Sequence, residues 1–137
     1  MSLYRLVLDT NVLVSALINR EGLEAAVLGL ALNQSVQLCV SYAIVAEYTR
    51  VLYKPQLKLN LQLVASVLSF CQTSSLMVIP ASSVLACSHE PDNRFLECAE
   101  AVEADFLVTR NKWHFPEPWK NTEVVNAREL LDRLSLP

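Results

Sequence analysis

Arg5-Leu6-Val7-Leu8-Asp9-Thr10-Asn11-Val12-Leu13-Val14-Ser15-Ala16 is the stretch on which the fold turns. Its first part is a short apolar run suited to a buried strand, and it stops abruptly at Asp9. Thr10 and Asn11 are both good helix N-cap types, and the apolar residues behind them continue as a short helix. A strand that passes straight into a helix is the first half of a βαβ unit, so further strands should alternate with helices.

They do. A second helix fits residues 23–32, after a break at Asn19-Arg20-Glu21-Gly22, and residues 36–40 alternate in a β-rich pattern. Ser41 is placed to cap a helix that runs to about Tyr53 and stops before Pro55. Residues 61–71 form another helix, with Leu61, Val64, Ala65, Leu68 and Cys71 at helical spacing. Residues 76–79 predict a third strand closed by Pro80, and residues 81–91 a loop or broken short helix. Asp92 opens a helix carrying Phe95, Cys98, Ala99 and Val102. Strands at 106–109 and 123–125 follow, and Asn126 caps a last helix over 128–134. The pattern predicts an α/β fold: a three-layer sandwich, with a central, mostly parallel sheet of four to five strands flanked by helices. No repeat or linker interrupts it, so residues 1–137 read as a single domain.

Composition supports a packed domain: 53 % of the 137 residues are hydrophobic and 18 % are charged, which excludes disorder. No apolar run approaches a membrane span, and no signal-peptide core follows a basic start, so the expectation is a soluble, cytoplasmic protein. Cys39, Cys71, Cys87 and Cys98 are scattered with no C-x-x-C pair, and they read as reduced thiols, mostly buried. The net charge of −3 gives no long-range attraction for nucleic acid. Such a partner would need bridging cations or a local basic rim, for which Arg94, Arg110, Lys112 and Lys120 are the candidates. Trp113 reads as core or lid packing, with stacking on a base as its other use.

The informative residues are polar groups at strand ends, where open parallel sheets bind ligands. Asp9 follows the first strand; as a lone Asp-Thr-Asn it reads equally as a helix cap. Glu47 lies on or beside the apolar face defined by Ile44, Tyr48, Val51 and Leu52, where a carboxylate needs a cation or an ion pair, Arg50 being the local choice. Asp92 opens a helix and also has a capping alternative. Glu97 falls one turn after Asn93 on the same side, with simple solvation as its alternative. Asn111 lies two residues beyond Thr109, in a polar, basic and aromatic loop that is alternatively a packed turn. Carboxylates gathered in one crevice repel one another unless a cation joins them, and hard oxygen ligands suit Mg²⁺ or Mn²⁺.

Three segments resemble the PIN-domain family: Val7-Leu8-Asp9-Thr10-Asn11-Val12-Leu13-Val14-Ser15-Ala16, Pro91-Asp92-Asn93-Arg94-Phe95-Leu96-Glu97-Cys98-Ala99, and Ala104-Asp105-Phe106-Leu107-Val108-Thr109-Arg110-Asn111. The likeness covers almost the whole chain and is closest to the bacterial branch of toxins from toxin–antitoxin pairs. It implies a PIN-like sheet and an endoribonuclease that cleaves single-stranded RNA with Mg²⁺ or Mn²⁺. It places Asp9, Glu47 and Asp92 in the catalytic and metal-holding set, with Glu97 as an addition and Asn93 as an alternative to Asp92. It also implies a homodimer blocked by a cognate antitoxin protein. Relatives carry a fourth acid at the second or fifth residue after the strand's Thr, where this chain has Asn111 and His114. That departure lowers the charge of the site and favours a second reading, a PIN-like binding module without nuclease activity. A haloacid-dehalogenase-like phosphatase would want Asp where Asn11 stands, and a receiver domain an Asp after residues 76–79, where Pro80-Ala81 follows instead.

Overall fold

The computed structural model describes residues 3–81, 83–87 and 89–135. The chain runs β1 (Arg5–Leu8), α1 (Thr10–Ile18), α2 (Leu23–Leu32), β2 (Gln37–Ser41), α3 (Tyr42–Leu52), α4 (Leu61–Thr73), β3 (Leu76–Val78), α5 (Asn93–Val102), β4 (Phe106–Val108), β5 (Glu123–Val125) and α6 (Ala127–Leu134). Short 3-10 turns sit at Pro55–Leu57, Glu90–Asp92 and Lys112–His114; the last two stand next to the predicted site residues.

All five strands are parallel, in the order β3-β2-β1-β4-β5. β1 is therefore central, with Leu6 in register with Leu38 on one side and Phe106 on the other. Leu6, Val7, Leu8, Leu107 and Val108 are fully buried, as unbroken apolar runs must be when helices cover both faces of a sheet. The chain steps outward from β1 to β2 to β3, then returns to place β4 on the opposite side of β1. Right-handed crossovers send the helices of those two movements to opposite faces. α5 packs across β1, β2, β3 and β4, while α6 packs on β4 and β5 and touches α2.

Local chemistry fixes the element ends. Ser41 closes β2 and caps α3, its hydroxyl accepting from the Ile44 amide at 3.3 Å. Asn60 caps α4, and Asn126 forms a reciprocal capping box with Glu129 on α6. Residues 81–91, expected as loop or broken helix, contain a helical turn only at Glu90–Asp92 among the described residues. Cys39, Cys71 and Cys98 are buried and Cys87 half-buried, all free. Burial pushes the Cys39 and Cys98 thiols up to about 12, so they pack as small apolar groups. Among the described residues, no helix is long and apolar enough to cross a membrane.

Candidate active site

The strand order reverses between β1 and β4, and the crevice of an open parallel sheet lies beyond the carboxyl ends of such a pair. Asp9 follows β1 there and Thr109 follows β4. The backbone ladder continues one residue past the strands, through the Asp9 amide to the Val108 carbonyl and the Thr109 amide to the Val125 carbonyl, each at 2.9 Å. This brings the Thr109 hydroxyl to Asp9, where Oγ1 donates to Oδ2 at 2.7 Å in a buried setting. Asp9 occupies the N-cap position of α1, yet its side chain makes no capping hydrogen bond. The simple capping explanation therefore fails.

α3 delivers Glu47 through its neighbour. Tyr48 is fully buried, and its hydroxyl donates to the Leu8 carbonyl at 2.5 Å, pinning α3 to the residue before Asp9. Glu47 then receives the Thr10 hydroxyl on Oε2. Arg50, the ion-pair partner suggested by spacing, stands 3.9 Å away with a side chain 62 % exposed. At that range and exposure it contributes little.

Asp92 comes from the opposite face, at the entry to α5. It is buried and, like Asp9, makes no capping hydrogen bond from the N-cap position. His114 lies beside it, with Nδ1 3.6 Å from Oδ2. Of Asn111 and His114, His114 is thus the one in contact with a carboxylate.

Electrostatics tie these groups together. Burial, chiefly, pushes the Asp9 carboxyl up to about 6, against the Thr109 hydrogen bond, and repulsion from Asp92 and Glu47 adds to the rise. Burial also raises Asp92, with Glu47 adding and His89 and His114 opposing. Each of the two buried acids thus feels Glu47, and like charges held this way favour a cation between them. Among the described residues, no three His, Cys, Asp or Glu side chains converge into a ready-made metal cage. Mg²⁺ and Mn²⁺ do not require one, since they hold several waters and use one or two carboxylates. The donor chemistry fits a hard divalent cation.

Glu97 departs from the expectation that it joins this set. Its Oε2 accepts the Val84 amide at 3.0 Å and pairs with Arg94 at 2.9 Å. Asn93 does similar work, its Oδ1 accepting from the Ala86 and Cys87 amides while Nδ2 donates to Glu90. Both residues share one side of α5, as their spacing predicts, but that side holds the 83–87 segment. Of the two adjacent candidates, Asp92 lies beside His114 and feels Glu47, while Asn93 holds the 86–87 amides.

The expected basic rim is largely spent. Arg94 pairs with Glu90 and Glu97, Lys112 with Glu117 and Glu129, and Lys120 with Glu100. Asn111 is half-buried; its amide donates to Thr109 Oγ1 at 3.0 Å, which joins it to Asp9 through the threonine. Thr109, Thr10 and Tyr48 were not singled out from sequence. Thr109 had a visible signal, since it ends the strand that pairs with β1; the polar use of Tyr48 was hidden inside an apolar stripe.

Buried carboxylates therefore sit at the reversal point of an all-parallel sheet in a three-layer α/β domain. The PIN domain profile matches residues 5–113, and the chain belongs to the PIN domain family, whose members are generally metal-dependent nucleases. The matched span includes Asp9, Glu47, Asp92 and Asn111 and ends one residue before His114. The chain is also 28 % identical over 111 residues to the uncharacterized protein MJ1680 of Methanocaldococcus jannaschii, a match covering 79 % of this chain and 71 % of that one.

Proposed function

We propose that the protein is a divalent-metal-dependent endoribonuclease that hydrolyses phosphodiester bonds of single-stranded RNA. The observation that carries this reading is the pair of buried acids, Asp9 and Asp92, both raised by burial and both repelled by Glu47. Asp9, Asp92 and Glu47 would hold Mg²⁺ or Mn²⁺. Such a cation supplies charge neutralisation at the scissile phosphate and activation of water. Thr109 and Thr10 orient the Asp9 and Glu47 carboxylates by hydroxyl donation. Asn111, joined to Asp9 through Thr109, would position a water or a phosphate oxygen. Glu97 is left out of the metal-holding set because Arg94 and the Val84 amide occupy it.

The resemblance extends the proposal to the toxin of a toxin–antitoxin pair, with a homodimer and a cognate antitoxin protein as partners and the cytoplasm as its location. Coexpression with the protein encoded beside it, followed by growth and copurification, tests that extension. A second reading, a binding module without nuclease activity, draws on Asn111 and His114 at the positions where relatives carry an acid. The two separate in one assay. Purified protein with added Mg²⁺ or Mn²⁺ should cut single-stranded RNA, and Asp9→Asn should reduce cutting to background. No cleavage under any divalent metal, or equal cleavage by the variant, removes the nuclease reading.

A further inference from the structure

Next in sequence to Thr10 and Thr109 lies a cleft of about 400 Å³, lined by Asn11, Val14, Ser15, Arg110, Asn111 and Trp113. We propose that this cleft is the subsite for one unpaired nucleotide of the substrate, with its base on the Trp113 indole and its phosphate on the Arg110 guanidinium. The proposal rests on the nuclease reading for its location but uses residues outside the carboxylate set.

The two tryptophans of this region make the first argument. Trp119 is half-buried and packs against the core, with the Lys120 ammonium 5.4 Å from its ring centroid. Trp113 is 77 % exposed, contrary to the core or lid packing expected of it. It leans on His114 in a T-shaped contact, centroids 5.7 Å apart and planes at 85°. Phe115, two residues further on at the end of that turn, is buried, so the segment does pack an aromatic ring, and that ring is not Trp113. An indole held against a second ring and open to solvent is a stacking platform, and every base offers a matching face.

Arg110 makes the second argument. Of the four cations expected around the mouth, Arg94, Lys112 and Lys120 each pair with a carboxylate. Arg110 instead donates from Nη1 to the neutral Ser15 hydroxyl at 2.7 Å, and among the described residues no carboxylate is paired with it. Ser15 orients the guanidinium without cancelling its charge, and its remaining N–H groups suit a phosphate. A single retained cation also answers the objection of the net charge of −3, since it acts locally where the overall field repels.

Continuity with the crevice is the third argument. The Asn111 amide donates to Thr109 Oγ1, which donates to Asp9 Oδ2, so one hydrogen-bonded chain links the cleft to the carboxylates. In the proposed binding mode the phosphodiester adjoining the seated nucleotide lies toward Asp9. The Asn11 and Asn111 side chains flank that position, able to donate to phosphate or base oxygens.

The test uses the full chain carrying Asp9→Asn, so that the probe stays intact, with a single-stranded uridylate octamer, the same octamer made abasic, and an eight-base-pair RNA duplex. Octamer binding should quench tryptophan emission, and this quenching should disappear in Trp113→Phe. Trp113→Ala should weaken octamer binding roughly 5- to 150-fold, the range for loss of one base–aromatic stack, whereas Trp113→Phe should stay within a few-fold. Arg110→Gln should lower the slope of log affinity against log salt by about 0.7, one phosphate contact on a single strand. The abasic octamer and the duplex should bind equally well to the parent and to Trp113→Ala. Equal octamer affinities for the parent and Trp113→Ala, or equal dependence of duplex and single strand on Trp113, overturn the proposal. So does failure of any oligonucleotide to bind, which would leave the exposed indole to a protein partner. The two readings fail separately. If the wild type cleaves RNA while Trp113→Ala keeps its KM, the subsite falls alone; if no metal supports cleavage while the stacking signals appear, only the nuclease reading falls.

Discussion

Two groups of acids meet near the start of α5, and they are equally hidden from water: Asp9 is 5 % exposed, Asp92 7 % and Glu97 9 %. Burial therefore does not distinguish them. Their partners do. Glu97 faces a guanidinium and a backbone amide, so its charge is answered within the protein. Asp9 faces a hydroxyl, Asp92 a histidine, and both face the charge of Glu47. A buried acid with an arginine is a fastening; buried acids facing one another repel and favour a nearby positive charge.

The largest test of that contrast is Asp9→Asn. Besides losing metal-dependent cleavage, the variant should be more stable than the wild type without metal. The Asp9 carboxyl stands at about 6 against an ordinary 3.8, a difference equivalent to up to about 3 kcal/mol at neutral pH. Asn keeps an acceptor for Thr109 and removes the repulsion. The sign follows from linkage: the folded state binds the Asp9 proton more tightly than the unfolded state does. Stability present below pH about 4 is thus lost as pH rises through about 6. Urea melts of metal-free protein from pH 4 to 7.5 should show a larger loss in the wild type than in Asp9→Asn, where of these two acids only Asp92 remains raised. A parallel loss in both would place the missing charge elsewhere.

Glu97→Ala should act in the opposite direction, destabilising by about 1–3 kcal/mol, because the Val84 amide and Arg94 lose their acceptor. The lower part of that range is expected, since the Arg94 side chain is 34 % exposed and water screens it. Cleavage per folded molecule should change little, as a titration of active protein against melting data can show. A loss of cleavage as complete as that of Asp9→Asn would return Glu97 to the metal-holding set.

The smallest expected effect belongs to Tyr48→Phe. It leaves the Leu8 carbonyl without the hydroxyl at 2.5 Å, at a cost of about 1 kcal/mol. Because that contact sets Glu47 against Asp9, it should also raise the metal concentration needed for half-maximal cleavage, by less than tenfold. A stability loss with no change in metal requirement would confine Tyr48 to packing.

Much of this was legible in the chain. Leu6-Val7-Leu8 running into Asp9, and the Leu107-Val108-Thr109 strand, gave the central pair of the sheet because unbroken apolar runs are specific to doubly covered strands. The spacing that put Glu47 beside the apolar face of α3 was equally readable. Glu97 was not, because a helix face shows which residues travel together and says nothing of what they meet. Its side of α5 meets the 83–87 segment, whose path depends on no local periodicity. The basic residues misled for a related reason: Lys112 meets Glu129 across a turn and β5, a distance in sequence that no pattern encodes.

The hydrogen bond between Thr109 and Asp9 joins residues a hundred positions apart. Its consequence concerns synthesis. While the ribosome is still making this chain, Asp9, Glu47 and Asp92 have all emerged before the strand that brings the first of them into place. No amino-terminal fragment stopping short of β4 contains the assembled crevice. The crevice is therefore assembled only after residue 109 has cleared the exit tunnel and folded.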